Sequence, residues 1–83
     1  MTVAYNNRGN AYANKVDYDR AIADYNRAIE VDPKYALAYS NRAIAYANKK
    51  DNGRAIADYR KALEFDPNNT FASDGLKRLG LTR

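Results

Sequence analysis

The chain has 83 residues, 46% of them hydrophobic and 29% charged, with a formal net charge of +4. That is one small domain able to bury only about 60% of its unfolded surface; with no Cys it has no disulfide or thiolate chemistry, and with no His it lacks the commonest general base and metal ligand. No apolar run approaches the roughly 20 residues of a membrane span, and Met1-Thr2-Val3-Ala4 leaves no room for a secretion signal, so the expectation is a cytoplasmic chain, or a piece of a longer one, without membrane attachment, cofactor or metal.

From Val3 to Lys15, Ala4, Tyr5, Ala11 and Tyr12 recur at helical spacing and predict a first helix burying that stripe. Gly9 lies within it, and Ala43 holds the same place one copy later; the shared absence of bulk points to a tight helix crossing. Asp17 is placed to cap a second helix running to about Val31. Tyr18, Ala21, Ile22, Tyr25, Ala28 and Ile29 give that helix one apolar face. So short a connection makes the two helices antiparallel, with Ala21 and Ala28 as flat surface for the partner's aromatics. Asp32-Pro33-Lys34-Tyr35 must turn, since Pro33 lacks the amide a continuing helix needs and biases Asp32 away from helical geometry. Ala36 to Lys49 and Asp51 to Phe65 then form a second hairpin, with Leu37, Tyr39, Ile44 and Tyr46 on one helix and Ile56, Tyr59, Leu63 and Phe65 on the other. Asn52 and Gly53 replace Tyr18 and Asp19, which predicts a looser second turn. Beyond Asp66-Pro67, Asn69 can cap a fifth helix over 70–79, with Phe71, Ala72, Leu76 and Leu79 inward and Asp74, Lys77 and Arg78 outward. Gly75 and Gly80 weaken it, so fraying is expected past Leu79.

The second hairpin is a copy of the first. Residues 2–35 laid on 36–69 without a gap give 20 identities in 34 positions, and a fixed period of this size means stacked units whose apolar faces are buried by their neighbours. Tyr5, Gly9, Tyr12, Ala21, Tyr25, Ala28 and Pro33, and again Tyr39, Ala43, Tyr46, Ala55, Tyr59, Ala62 and Pro67, fall on the pattern W-x2-L-G-x2-Y, A-x3-F, P. Over residues 2–69 the chain therefore resembles the tetratricopeptide repeat family. It departs from the pattern in using Tyr for Trp and Phe, and Arg8 and Arg42 for Leu. The resemblance implies an all-α superhelix of two antiparallel hairpins, residues 2–35 and 36–69, closed by a capping helix, with the first helix of each repeat lining a concave surface.

Arg8 and Arg42 each precede an Asp, Asp24 and Asp58, by 16 residues. Across an antiparallel hairpin that spacing suits a structural ion pair, with the Arg stem covering apolar surface; the other reading is an Arg pointed at a ligand. Asn6, Asn10 and Asn14 share one face of the first helix, and Asn41 and Asn48 one face of the third. These amides are either solvated or, with Ser40 and Ile44, the strip that meets the backbone of an extended peptide. Some relatives hold a terminal carboxylate in a clamp of Lys, Asn, Asn, Lys and Arg. Asn10 and Asn41 match its two Asn, but Asn6, Phe71 and Gly75 stand at its cationic places.

Scattered glycines, and carboxylates already engaged as caps or ion pairs, leave no candidate catalytic set. The expected function is a protein-interaction scaffold that holds a protein or peptide partner in the concave groove, an acidic one being favoured by the weak basic bias. A self-assembling repeat module is the alternative: two repeats plus a cap fall short of the usual three, and an uncapped N-terminal face invites homo-oligomers. Nucleic-acid binding ranks last, because the strip is mostly neutral.

Overall fold

The computed structural model describes residues 1–81, in which five helices follow one another: α1 (Thr2–Asn14), α2 (Tyr18–Val31), α3 (Ala36–Asn48), α4 (Asn52–Phe65) and α5 (Thr70–Arg78). Helices α1 and α2 pack as one antiparallel hairpin, α3 and α4 as the next, and α5 lies against both α3 and α4. The first helices touch in succession, α1 to α3 and α3 to α5, while the backbones of α2 and α4 do not approach one another. The layer of first helices is thus the inside of the curve, and the second helices fan apart outside it.

The turns within the hairpins are made by backbone geometry. Val16 and Lys50 take left-handed conformations, with φ of 64° and 68°, and the amides of Asp17 and Asp51 return to the carbonyls of Tyr12 and Tyr46, each at 2.9 Å. This is the six-to-one bond of a Schellman ending. Asp17 and Asp51 then cap the next helix, accepting from the amides of Arg20 and Arg54. The second turn is therefore no looser than the first. Residues 52 and 53 already belong to the helix, and the conformation is set by the two residues before them, which behave alike in both copies.

The joints between hairpins are alike too. Asp32 and Asp66 are extended, and their carboxylates accept from the amides of Lys34 and Asn68 at 3.1 Å, an Asx turn that reverses the chain around the prolines. Tyr39 Oη donates to the Pro33 carbonyl at 2.8 Å and fixes α3 to that joint.

Small residues let the backbones approach. Ala21, Ala28, Ala38, Ala43, Ala55, Ala62 and Ala72 have no exposed surface, and Tyr25, Tyr39, Tyr59 and Leu76 fill the space between them. Tyr39 and Phe65 meet with ring centroids 5.6 Å apart. On α5, Ala72, Gly75 and Leu76 are buried and Gly80, at φ 82°, ends the helix just past Leu79. Phe71 does not join them: at 57% exposure it faces away from the core. The expected stripe on α1 also differs, for Ala4 and Ala11 are exposed and the buried residues are Asn6 and Gly9. Their counterparts Ala38 and Ala45 are buried, Ala45 against Ala21 and Tyr25 of α2. An apolar stripe is covered only where a neighbour exists, and no helix precedes α1 among the described residues.

Candidate functional site

The inner faces of α1, α3 and α5 form one surface. Its centre is a bond between helices: Asn41 Nδ2 on α3 donates to Asn6 Oδ1 on α1 at 3.1 Å. One turn further along α1, Asn10 Oδ1 accepts from the Tyr25 hydroxyl at 2.6 Å. Burial pushes the Tyr25 phenol up to about 12, so it remains a donor across the ordinary pH range.

The predicted strip is therefore divided. Asn14 and Asn48 are exposed and Asn10, Asn41 and Ile44 half-buried, all consistent with a surface a ligand can reach. Asn6 is 4% exposed and serves as the acceptor that joins α1 to α3. Ser40 has no exposed surface, and its hydroxyl donates to the Leu37 carbonyl at 3.0 Å. Asn6 thus ties α1 to α3, whereas the Ser40 bond stays within α3. Both are closed to solvent, a fact that helical spacing alone does not reveal.

Two features of the groove lie outside that strip. Val3, Leu37 and Phe71 occupy the same place in successive first helices, and all three are exposed; one or two turns on, along the same helix faces, come Asn6 and Asn10, Asn41 and Ile44, Gly75 and Arg78. The second feature is Arg78, which lines a cavity of about 140 Å³ between α3 and α5 with Ile44, Asn48, Tyr59, Gly75 and Leu79. Arg78 is exposed yet borders this cavity, and its positive charge works against the burial that raises the Tyr59 phenol. The signal for both was the period. Positions 10, 44 and 78 form one column, as do 3, 37 and 71.

Gly75 has a steric role here. A Cβ added to it would sit 2.2 Å from the Tyr59 ring, and one added to Gly9 would sit 2.6 Å from Tyr25. Gly75→Ala improves intrinsic helix propensity by about 1 kcal/mol, yet we expect it to lower unfolding free energy by about 1–3 kcal/mol, because the buried ring must move. Urea titration followed by circular dichroism measures this, and an increase in stability would show that the ring yields freely.

Outside the groove, the hairpin seams carry the ion pairs. Arg8 Nε and Nη2 meet Asp24 at 2.6 and 2.7 Å, and Arg42 Nε and Nη2 meet Asp58 at 2.7 and 2.8 Å. Both guanidinium groups lie in parallel forks on a buried carboxylate, the geometry in which charge-assisted bonds are strongest. Arg8 holds Asp24 below the usual carboxylate range, with Arg27 Nη1 adding a third bond at 2.7 Å. Among the described residues no cluster of carboxylates is arranged for a metal ion, and no helix is long and apolar enough to cross a membrane.

Comparison with known proteins supplies the remaining findings. The family model described as tetratricopeptide repeat matches residues 2–35 and 36–69. No curated protein matches. Among solved structures, the first TPR of Spaghetti (RPAP3) bound to HSP90 peptide SRMEEVD is 31% identical with a TM-score of 0.91, over 96% of this chain and 64% of that one. The second TPR of Spaghetti, bound to the same peptide, is 30% identical with a TM-score of 0.86, over 95% of this chain and 77% of that one. The first TPR domain of human RPAP3, solved by NMR, shares the fold at 24% identity and a TM-score of 0.61, over 96% and 90% of the two chains.

Proposed function

This chain belongs to the tetratricopeptide repeat family, and from that premise we propose that it is a non-catalytic interaction module holding an extended, acidic peptide across the inner faces of α1, α3 and α5. The carrying observation is the alignment of an exposed apolar row, Val3, Leu37 and Phe71, with a column that ends in Arg78 at the cavity between α3 and α5. Apolar side chains of the peptide settle on the row, and a carboxylate meets Arg78. Asn14 and Asn48, the free amide of Asn10 and the free carbonyl of Asn41 serve the peptide backbone. SRMEEVD, seen on the two Spaghetti domains, has this composition: Met and Val set among acidic residues. With Asn6, Phe71 and Gly75 at the cationic places of a carboxylate clamp, the affinity rests on internal acidic and apolar residues of the peptide more than on its terminus.

Titration calorimetry with SRMEEVD and with its C-terminal amide tests this. Both peptides are expected to bind, with Arg78→Ala and Phe71→Ala each weakening binding about tenfold. Absence of binding at millimolar peptide, or an Arg78→Glu variant that binds unchanged, would exclude the groove as the site. The nucleic-acid reading requires a basic inner face, and the cavity between α3 and α5 carries a single cation.

A further inference from the structure

The two hairpins carry the same cavity on their outer side, and they differ in one wall. In the second hairpin, Arg42, Tyr46, Arg54, Ala57 and Asp58 line a cavity of about 520 Å³ whose remaining wall is α2, through Asn26, Ile29 and Glu30. In the first, Arg8, Tyr12, Arg20, Ala23 and Asp24, the same five places, line a cavity of about 290 Å³ with Arg27. No helix of the described chain stands where α2 stands for the second. Arg42 spends its remaining donor on that wall, Nη1 to Asn26 Oδ1 at 2.8 Å, and its side chain is 21% exposed where that of Arg8 is 54% exposed. Exposed Ala4 and Ala11 flank Arg8, whereas Ala38 and Ala45 flanking Arg42 are buried.

We propose that the α1 face bearing Ala4, Arg8, Ala11 and Tyr12, with Arg20 beside it on α2, docks an amphipathic helix of a partner protein. That helix carries a side-chain acceptor, an aliphatic residue and a carboxylate at i, i+3 and i+4. The specification comes from the molecule itself, since Asn26, Ile29 and Glu30 meet it where α2 covers the second hairpin. The acceptor satisfies Arg8, the aliphatic residue covers the alanine strip, and the carboxylate faces Arg20 as Glu30 shares a cavity with Arg54. Charge agrees with this: Arg8, Arg20 and Arg27 outnumber Asp17 and Asp24, their partners, so the face attracts an acidic helix. A second copy of the chain lacks a free helix of this kind. Its α2 is engaged on α3, and α4 presents Arg60, Leu63 and Glu64 at the equivalent places, putting Arg60 opposite Arg8, while Leu63 is packed with the core beneath α5. We therefore assign this face to a heterologous partner, with the homo-oligomer as the competing outcome of the test below. The peptide-binding groove lies on the other side and is not involved.

The probe is a helix-constrained peptide with the sequence of residues 18–31, titrated into the full 83-residue chain and followed by ¹⁵N–¹H NMR. Shifts centred on Ala4, Arg8, Ala11 and Arg20 are expected, with Arg20→Glu weakening binding at least about fivefold and a peptide with Lys at the Glu30 position restoring it to that variant. The proposal is overturned by shifts confined to the inner faces, by no shifts at millimolar peptide, or by loss of the native α2 resonances, which would mean that the peptide displaces α2 from its own hairpin. It is equally overturned if sedimentation without peptide finds a dimer that Arg20→Glu dissolves, since the face would then belong to a second copy.

Discussion

Replacing Asp58 by Ala is expected to lower unfolding free energy by about 3–5 kcal/mol, a large part of what so small a domain possesses. Asp58 is buried and holds the Arg42 fork, whose side chain is only 21% exposed and is closed in by Asn26. Removing the carboxylate leaves a cation desolvated with one neutral acceptor. The pair itself is not the source of that stability. Two charges moved out of water recover little more than their desolvation cost, so Arg42→Leu combined with Asp58→Leu is expected to equal the parent within about 1 kcal/mol or exceed it. Arg42→Leu also restores the residue type that the family pattern has at this place. Chemical denaturation of both single variants and the double variant tests the account, and a double variant as unstable as Asp58→Ala would refute it. In the first hairpin the same experiment should show a smaller loss, because Arg8 and Arg27 are half exposed and rehydrate when Asp24 is removed. The depressed carboxyl of Asp24 also fixes the sign of the acid response. Its contribution is complete above the ordinary carboxylate range, near pH 4, and disappears as pH falls through its lower native value.

Truncating Tyr25 should cost about as much, by a different route. It is the largest side chain with essentially no exposure, packed over Gly9 and against Ala21 and Ala45, so Tyr25→Ala opens a cavity where α1, α2 and α3 meet and is expected to cost about 3–5 kcal/mol. Tyr25→Phe keeps the ring and removes only the hydroxyl. Asn10 is half exposed and can turn to water, so that loss should be about 1 kcal/mol. The phenol adds a pH signature. Burial raises it from 10.0 to about 12, and a group raised in the folded state contributes its stability below its unfolded value and loses it as pH rises through the folded one. Stability of the parent should hold to about pH 10 and fall between 10 and 12. Tyr25→Phe should fall less steeply, with Tyr59, also raised by burial, supplying the remaining slope. Equal slopes in the two proteins would contradict the assignment of the buried proton to Tyr25.

Much of this was legible in one sequence because it was written twice. The 16-residue spacing from Arg to Asp, the small residue at positions 9 and 43, and the Asp caps at 17 and 51 each occur in both copies, and each depends on contacts within one hairpin. Local chemistry settles such features: a cap needs only its own helix, and a seam only the antiparallel partner a short turn away.

Expectations fail chiefly where a residue's surroundings belong to another hairpin; the looser second turn is the exception, overruled locally because Lys50 and Asp51 repeat the geometry of Val16 and Asp17. Periodicity put Ala4 and Ala11 on an apolar stripe, Phe71 among the inward residues of α5 and Ser40 on the ligand strip, and it could do no better. It says which residues share a helix face and is silent on whether a neighbour covers that face. The stack decided otherwise: Ala4 and Ala11 are open where Ala38 and Ala45 lie buried, Ser40 is closed to solvent, and Phe71 projects from α5. Arg78 is exposed as expected, but its column position became the wall of a cavity only once α5 lay against α3. The sequence by itself determined the unit, a helical hairpin of 34 residues with its caps, turn and internal ion pair. Only the tertiary structure decided what each unit exposes, because a repeat buries a surface by lending it to the next, and residues at the ends have no such neighbour among those described.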